Sequence, residues 1–236
     1  MLSRSLRLFF HHFVHATFLI FFPASTRTRV ISANRHVAPS SNQFRFLFLR
    51  NRLNLNGIRP LIWRRVLVPE HATFHELHLI IQEAMGWEQA HLYEFDLKNV
   101  LVGIPDDWDS FHFGKEQLDA RRIPLQQLLT KEKPKIQYIY DFGDYWRHTI
   151  TIEKIETPPK PLERAVCLKG KRACPPEDCG VYGYLELLEP AANKDSFMDP
   201  ELLERLDWLY DMKGEDFDPD AFDIEEVNKR LSYIHL

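Results

Sequence analysis

The segment Tyr140-Asp-Phe-Gly-Asp-Tyr-Trp-Arg-His148 places two carboxylates, Asp141 and Asp144, at a turn and a histidine on the strand that follows. Side chains alternate across a strand, so His148 shares a face with Trp146, Ile150 and Ile152. An imidazole on an apolar face, one turn from a carboxylate that orients its ring, suits a general base or a metal ligand. The same pattern also describes a buried histidine satisfied by a turn aspartate, since Asp and Gly are common turn formers. Asp141, Asp144, His148 and, further on, Glu177 are the catalytic candidates.

All three cysteines follow in one stretch, Cys167, Cys174 and Cys179, with the spacing C-x6-C-x4-C. Zinc sites use four ligands and commonly tighter C-x2-C pairs. Three thiolates therefore need a fourth ligand, for which His148 is the candidate, with Glu177 or Asp178 behind it. Pro175-Pro176 stiffens the loop, and Lys169, Lys171 and Arg172 favour thiolate formation. Two other readings stand beside this one: thiols as small core residues and a reversible disulfide. Zinc held by Cys167, Cys174, Cys179 and His148 is the cofactor these residues raise. A zinc-dependent hydrolase, with Asp144 or Glu177 moving protons, is the enzymatic alternative.

Other arrangements are weaker. His75-Glu-Leu-His78 misses the zincin spacing H-E-x-x-H, because Leu79 stands where the second histidine is needed. His71, His75 and His78 read as structural. In Trp63-Arg64-Arg65 only alternate side chains face one way, which sets Arg64 opposite its neighbours and makes a poor nucleic-acid platform. Asp141-Phe-Gly also occurs in protein kinases, but no His-Arg-Asp loop or Gly-rich phosphate loop accompanies it.

The elements that must position these residues are legible from periodicity. Phe44, Phe46 and Phe48 alternate on one parity and Leu53 and Leu55 on the other, which requires an irregularity near Arg50–Arg52. Asn56-Gly57 is a turn signal, and Leu61–Val68 returns as the second strand of a hairpin. Thr73 and Glu76 form a capping box for a helix running to Met85 and stopped by Gly86, with Phe74, Leu77, His78, Ile81 and Met85 facing the core. His91–Leu97 reads as a strand that Val100–Ile104 continues or pairs with. Residues 105–122 read as a surface loop and 124–129 as a short helix. Ile136–Tyr140 and Trp146–Ile152 make a second hairpin. Helices follow at 182–188, at 200–211 with Asp199 as N-cap, and from Asp223 onward.

Strands and helices are thus segregated, which indicates an α+β domain: a mixed or antiparallel sheet of four to five strands with one helix across it, β-grasp-like, then a helical part. The domain spans 44–234, with its sheet in 44–156 and the Cys loop and helices in 157–234. Residues 1–43 read as a disordered or targeting extension. They hold five arginines and no acidic residue, and the apolar run Leu8–Ala24 is short for a membrane span of roughly 20 residues.

Beyond residue 43 the chain carries 25 basic against 34 acidic residues, a net of −9. A surface of that sign disfavours broad nucleic-acid binding. Residues 199–226 hold twelve acidic side chains, which read as a solvated helical face and less readily as a docking surface. Three clustered cysteines do not make a secreted disulfide framework, so a reduced, cytoplasmic compartment is the simpler expectation, with an organellar or secreted one if residues 1–43 are a targeting peptide.

Gly57-Ile-Arg-Pro60, Ile62-Trp-Arg-Arg-Val-Leu-Val-Pro69, Ala84-Met-Gly-Trp87, His91-Leu-Tyr-Glu-Phe95, Tyr140-Asp-Phe-Gly-Asp144 and Gly170-Lys-Arg-Ala-Cys-Pro-Pro-Glu-Asp-Cys-Gly180 resemble the plasmid pRiA4b ORF-three family over about residues 44–234. That resemblance implies an α+β domain of plasmids and mobile elements, found as a passenger protein of insertion sequences. Val181 stands where the family usually has a second glycine. The resolvase-like label some members carry gets no support, since no recombinase nucleophile motif or basic DNA-reading helix is present. The leading reading is an accessory or interaction module with a protein partner and a polar Asp/His/Cys site.

Overall fold

The computed structural model describes residues 47–236 except 106–113, 131–134, 159–161, 193–199 and 215–216. Phe44, Phe46, the stretch 1–43, residues 106–113 of the 105–122 stretch and the Asp199 cap therefore lie outside the described residues.

Strand β1 (Phe48–Leu55) buries Leu49, Leu53 and Leu55 completely. The irregularity expected within β1 near Arg50–Arg52 is not there: Leu49, Asn51, Leu53 and Leu55 are buried in unbroken alternation and pair regularly with β2 (Trp63–Pro69). The register against β7 (Trp146–Glu156) shifts between Arg50 and Asn51 because Glu153 of β7 is the extra residue. β1 returns through Asn56-Gly57 into β2. Helix α1 (Phe74–Met85) is closed at its start by the reciprocal Thr73–Glu76 capping box and at its end by Gly86 in the left-handed conformation, φ 78°. Its apolar stripe, Phe74, Leu77, Ile81 and Met85, is buried.

β3 (Tyr93–Leu97), β4 (Val100–Gly103), β5 (Glu116–Asp119), the one-turn helix α2 (Leu125–Leu128), β6 (Lys135–Tyr140) and, after β7, β8 (Val166–Lys171) complete the strands. Helices α3 (Gly180–Ala192), α4 (Pro200–Lys213) and α5 (Ile224–Leu231) follow. The strands form one sheet in the order β5-β4-β3-β6-β7-β1-β2-β8. Neighbours pair antiparallel except β4 with β5, which are parallel.

The expectation of a four- to five-stranded, β-grasp-like sheet with one helix is therefore corrected: the sheet has eight strands and the described residues hold five helices. The missed strands lack a local signal. Glu116-Gln-Leu-Asp119 has no β-branched residue and no apolar alternation, and only its pairing with β4 makes it a strand. Val166-Cys-Leu-Lys-Gly-Lys171, read as part of the Cys loop, is recruited by β2.

β8 ends the sheet, and an end strand normally leaves peptide groups open to pairing with another chain. Here Asn228 of α5 covers it: its Oδ1 accepts from the Cys167 N–H at 2.8 Å and its Nδ2 donates to the Cys167 carbonyl at 3.0 Å. Arg64 pins the same region from inside. It is 3% exposed and donates to the carbonyls of Ala84, Trp63 and Lys171. On the opposite face Arg65 pairs with Glu153 and Arg52 lies over Trp63, so this tripeptide is committed to the fold. Among the described residues no helix is long and apolar enough to cross a membrane.

Candidate functional site

Three loops meet at one end of the sheet. The first leaves α1 through Gly86 and runs to His91 and Leu92. The second is the turn 141–145 between β6 and β7. The third is 172–180, between β8 and α3. Each joins the others by hydrogen bonds to backbone. Trp87 Nε1 donates to the Pro175 carbonyl at 3.0 Å, and the Glu88 N–H donates to Glu177 Oε1. The Asp141 N–H donates to the Leu92 carbonyl at 2.9 Å. The Gly180 N–H donates to Asp144 Oδ2 at 2.8 Å. Asp144 is thus the clamp between turn and loop.

These clamps converge four ionisable side chains. His91 Nε2 lies 3.0 Å from Asp178 Oδ1, 3.7 Å from Glu177 Oε2 and 3.8 Å from Asp141 Oδ2. Ligand atoms of His91, Asp141 and Asp178 all fall within 4.8 Å of one another. No other group of three or more His, Cys, Asp and Glu side chains comes that close among the described residues. The side chains of Glu177 and Asp141 are only 8% and 13% exposed, and His91 is their only ion-pair partner among the described residues. Buried carboxylates without a full counter-charge are costly. Tyr140 holds Glu177 in place by donating to Oε2 at 2.9 Å, while its own oxygen accepts from the His91 N–H at 3.3 Å. Burial and the Glu177 charge raise the Tyr140 pKa, so it remains a donor.

The backbone is strained at the same place. Gln89, Asp141, Tyr145 and Asp178 all have left-handed φ, between 56° and 63°. Such residues persist only where the surroundings fix them, and they concentrate at functional sites. Two of the four are members of the cluster.

The remaining sequence candidates go elsewhere. His148 is completely buried between Trp87 and Tyr138, with ring centroids 5.3 and 5.4 Å away. Neither of its ring nitrogens has a hydrogen-bond partner among the described residues, and neither turn aspartate reaches it. Desolvation pulls its pKa down to about 3. The three cysteines are free and separate in their contacts. Cys167 lies in β8. Cys174 contacts Arg64 Nη2 at 3.1 Å and Met85 Sδ at 3.2 Å. Cys179 leans on the Pro176 carbonyl at 3.4 Å. Burial raises the pKa of Cys167 and pushes that of Cys179 up to about 12. Nearby Lys and Arg side chains do not offset that desolvation. The structure thus brings Asp141, Glu177 and Asp178 together and leaves His148 and the thiols outside their group. His75 and His78 are structural, bonded to Tyr93 and Tyr138 hydroxyls at 2.7 Å.

Sequence reasoning passed over His91, which it took as the start of a strand. The usable signal was its place: a polar ring just past the Gly86 helix stop, two residues before β3 begins at Tyr93.

Fold and site together define an α+β domain on one mixed sheet, with a loop-built cluster of one imidazole and three carboxylates. The chain belongs to the family described as plasmid pRiA4b ORF-3-like protein, whose model matches residues 48–226. It is 36% identical over 185 residues to the "Uncharacterized protein y4hQ" of Sinorhizobium fredii, a match covering 78% of this chain and 90% of that protein. It is also similar to the crystal structure of the protein of unknown function MM3350 from Methanosarcina mazei Go1, with TM-score 0.64 and 36% identity over 77% of this chain and 96% of that one.

Proposed function

We propose that this domain is a divalent-cation-dependent binding module, with His91, Asp141 and Asp178 as the protein ligands and Glu177 beside them. One observation carries the reading: a nitrogen and two carboxylate oxygens from three different loops lie within 4.8 Å of one another. One imidazole with carboxylates suits hard to borderline ions such as Mn²⁺, Fe²⁺ and Zn²⁺, not a soft thiolate centre. A cation there would neutralise the half-buried carboxylates and tie the three loops together. An accessory or interaction role, the leading reading of the sequence, would then work through a surface whose order depends on the ion. The zinc–thiolate hydrolase gains no support, because its four ligands are not gathered.

Calorimetric titration of chelator-treated, dialysed protein with Mn²⁺ tests the reading. The expected result is one site per chain, weakened at least tenfold in Asp141→Asn and in His91→Ala and unchanged in Cys174→Ser. Absence of saturable binding, or equal affinity in Asp141→Asn, refutes it.

A further inference from the structure

Beside the cluster lies an open groove of about 650 Å³. It is lined by Asn56 at the end of β1, by Tyr145 and Arg147 of the second hairpin, and by Tyr182 and Leu185 of α3. It borders the candidate ligands in the chain: Asp144 and Tyr145 follow Asp141 in the same turn, and Cys179 follows Asp178.

Its surface is unusual for this protein. Tyr182 is 84% exposed, Tyr145 47% and Leu185 37%. Large apolar groups gathered in one concave place mark a binding surface, whereas scattered ones do not. The groove is also electrostatically one-sided. The Arg147 guanidinium lies 5.4 Å over the Tyr145 ring and has no carboxylate partner among the described residues. The one acidic lining residue, Asp144, is turned onto the Gly180 N–H. A ligand seated here needs a planar face for the tyrosines and an anion for Arg147.

We infer that the groove takes a mononucleotide-sized ligand, a planar ring system bearing a phosphate monoester. The ring packs on Tyr145 and Tyr182, and the phosphate faces Arg147. Three points favour this over a nucleic-acid strand or an acidic peptide. The volume lies within the range of about 300–1,000 Å³ typical of small-molecule sites. Exposed tyrosines supply sequence-independent stacking. The net charge of −9 on residues 44–236 repels a polyanion far more than a single phosphate. The inference rests on the cation reading in one respect: an ion at the neighbouring cluster adds positive field and tightens phosphate binding.

Titration of the full chain with adenosine and guanosine monophosphates, with and without saturating Mn²⁺, is the test, with adenosine and inorganic phosphate as controls. Both monophosphates are expected to bind, more tightly with Mn²⁺, and each control at least tenfold more weakly. Arg147→Gln and Tyr182→Ala should each weaken binding roughly tenfold or more, as loss of a charge contact or of one stacked base does. Both side chains are exposed, so the fold and the Mn²⁺ affinity should be unchanged. No monophosphate binding by protein that takes up Mn²⁺ overturns the inference. So does binding that survives both substitutions, or adenosine binding as tightly as its monophosphate. Monophosphate binding without any Mn²⁺ uptake would sink the cation reading and leave the groove assignment standing.

Discussion

Lowering the pH should unfold this domain through two buried histidines, and the size of the effect follows from their surroundings. His148 and His78 are 0% and 3% exposed, and desolvation pulls both pKa values down to about 3. His78 also receives the Tyr138 hydroxyl while Gln82 donates to that hydroxyl, an arrangement that suits a neutral ring. In the unfolded chain a histidine titrates near 6.5. The folded state therefore binds fewer protons than the unfolded state between about pH 6.5 and 3. Stability from these groups is complete above that window and is lost as pH falls through it. Each group contributes about 1.4 kcal/mol per pH unit. From pH 6.5, where the unfolded ring is already half protonated, to pH 4.5 that is about 2.3 kcal/mol for one ring and about 4.6 kcal/mol for the pair, a large share of the 5–15 kcal/mol typical of a domain. Urea unfolding, followed by the fluorescence of the buried Trp87 and Trp146, gives the free energy at each pH. In His148→Phe the mean slope between pH 6.5 and 4.5 should fall by about 1.2 kcal/mol per pH unit relative to the unsubstituted chain. Taking that difference cancels the carboxylates common to both proteins. An unchanged slope would refute the assignment of His148 as a buried neutral ring.

Three further outcomes follow. Mn²⁺ at about a hundred times its dissociation constant should stabilise the chain by about 2.7 kcal/mol, seen as a raised Tm that Asp141→Asn abolishes. Thiol labelling at pH 8 should be slow at Cys167 and Cys179, because burial holds both protonated, Cys179 with a pKa of about 12; rapid labelling of either, measured by mass spectrometry of the native protein, would contradict that environment. Asn228→Leu should expose the β8 peptide groups that the amide covers, costing about 1–3 kcal/mol and promoting self-association, which light scattering detects.

What the sequence disclosed was whatever local periodicity encodes. The capping box at Thr73, the helix stop at Gly86 and the hairpin around Asp141 each need only a few neighbouring residues. β5 and β8 need a partner strand to exist, and their own residues carry no alternation. The site divides the same way. Asp141 and Glu177 drew notice as candidates because a turn and a stiff loop announce them. His91 was not, because its role comes from loops some 50 and 87 positions further along the chain, at Asp141 and Asp178. His148 shows the converse. Its face was read correctly, yet Trp87 and Tyr138 cover that face, and the turn carboxylates point to Gly180 and His91 instead.

On the cation reading, three loops are arranged around one ion. Crystals soaked in Mn²⁺ and measured on both sides of the manganese absorption edge test it most directly. A single strong anomalous peak is expected within about 2.3 Å of His91 Nε2 and of oxygens from Asp141 and Asp178. A peak placed on the cysteines, or none at the cluster in fully soaked crystals, would contradict it.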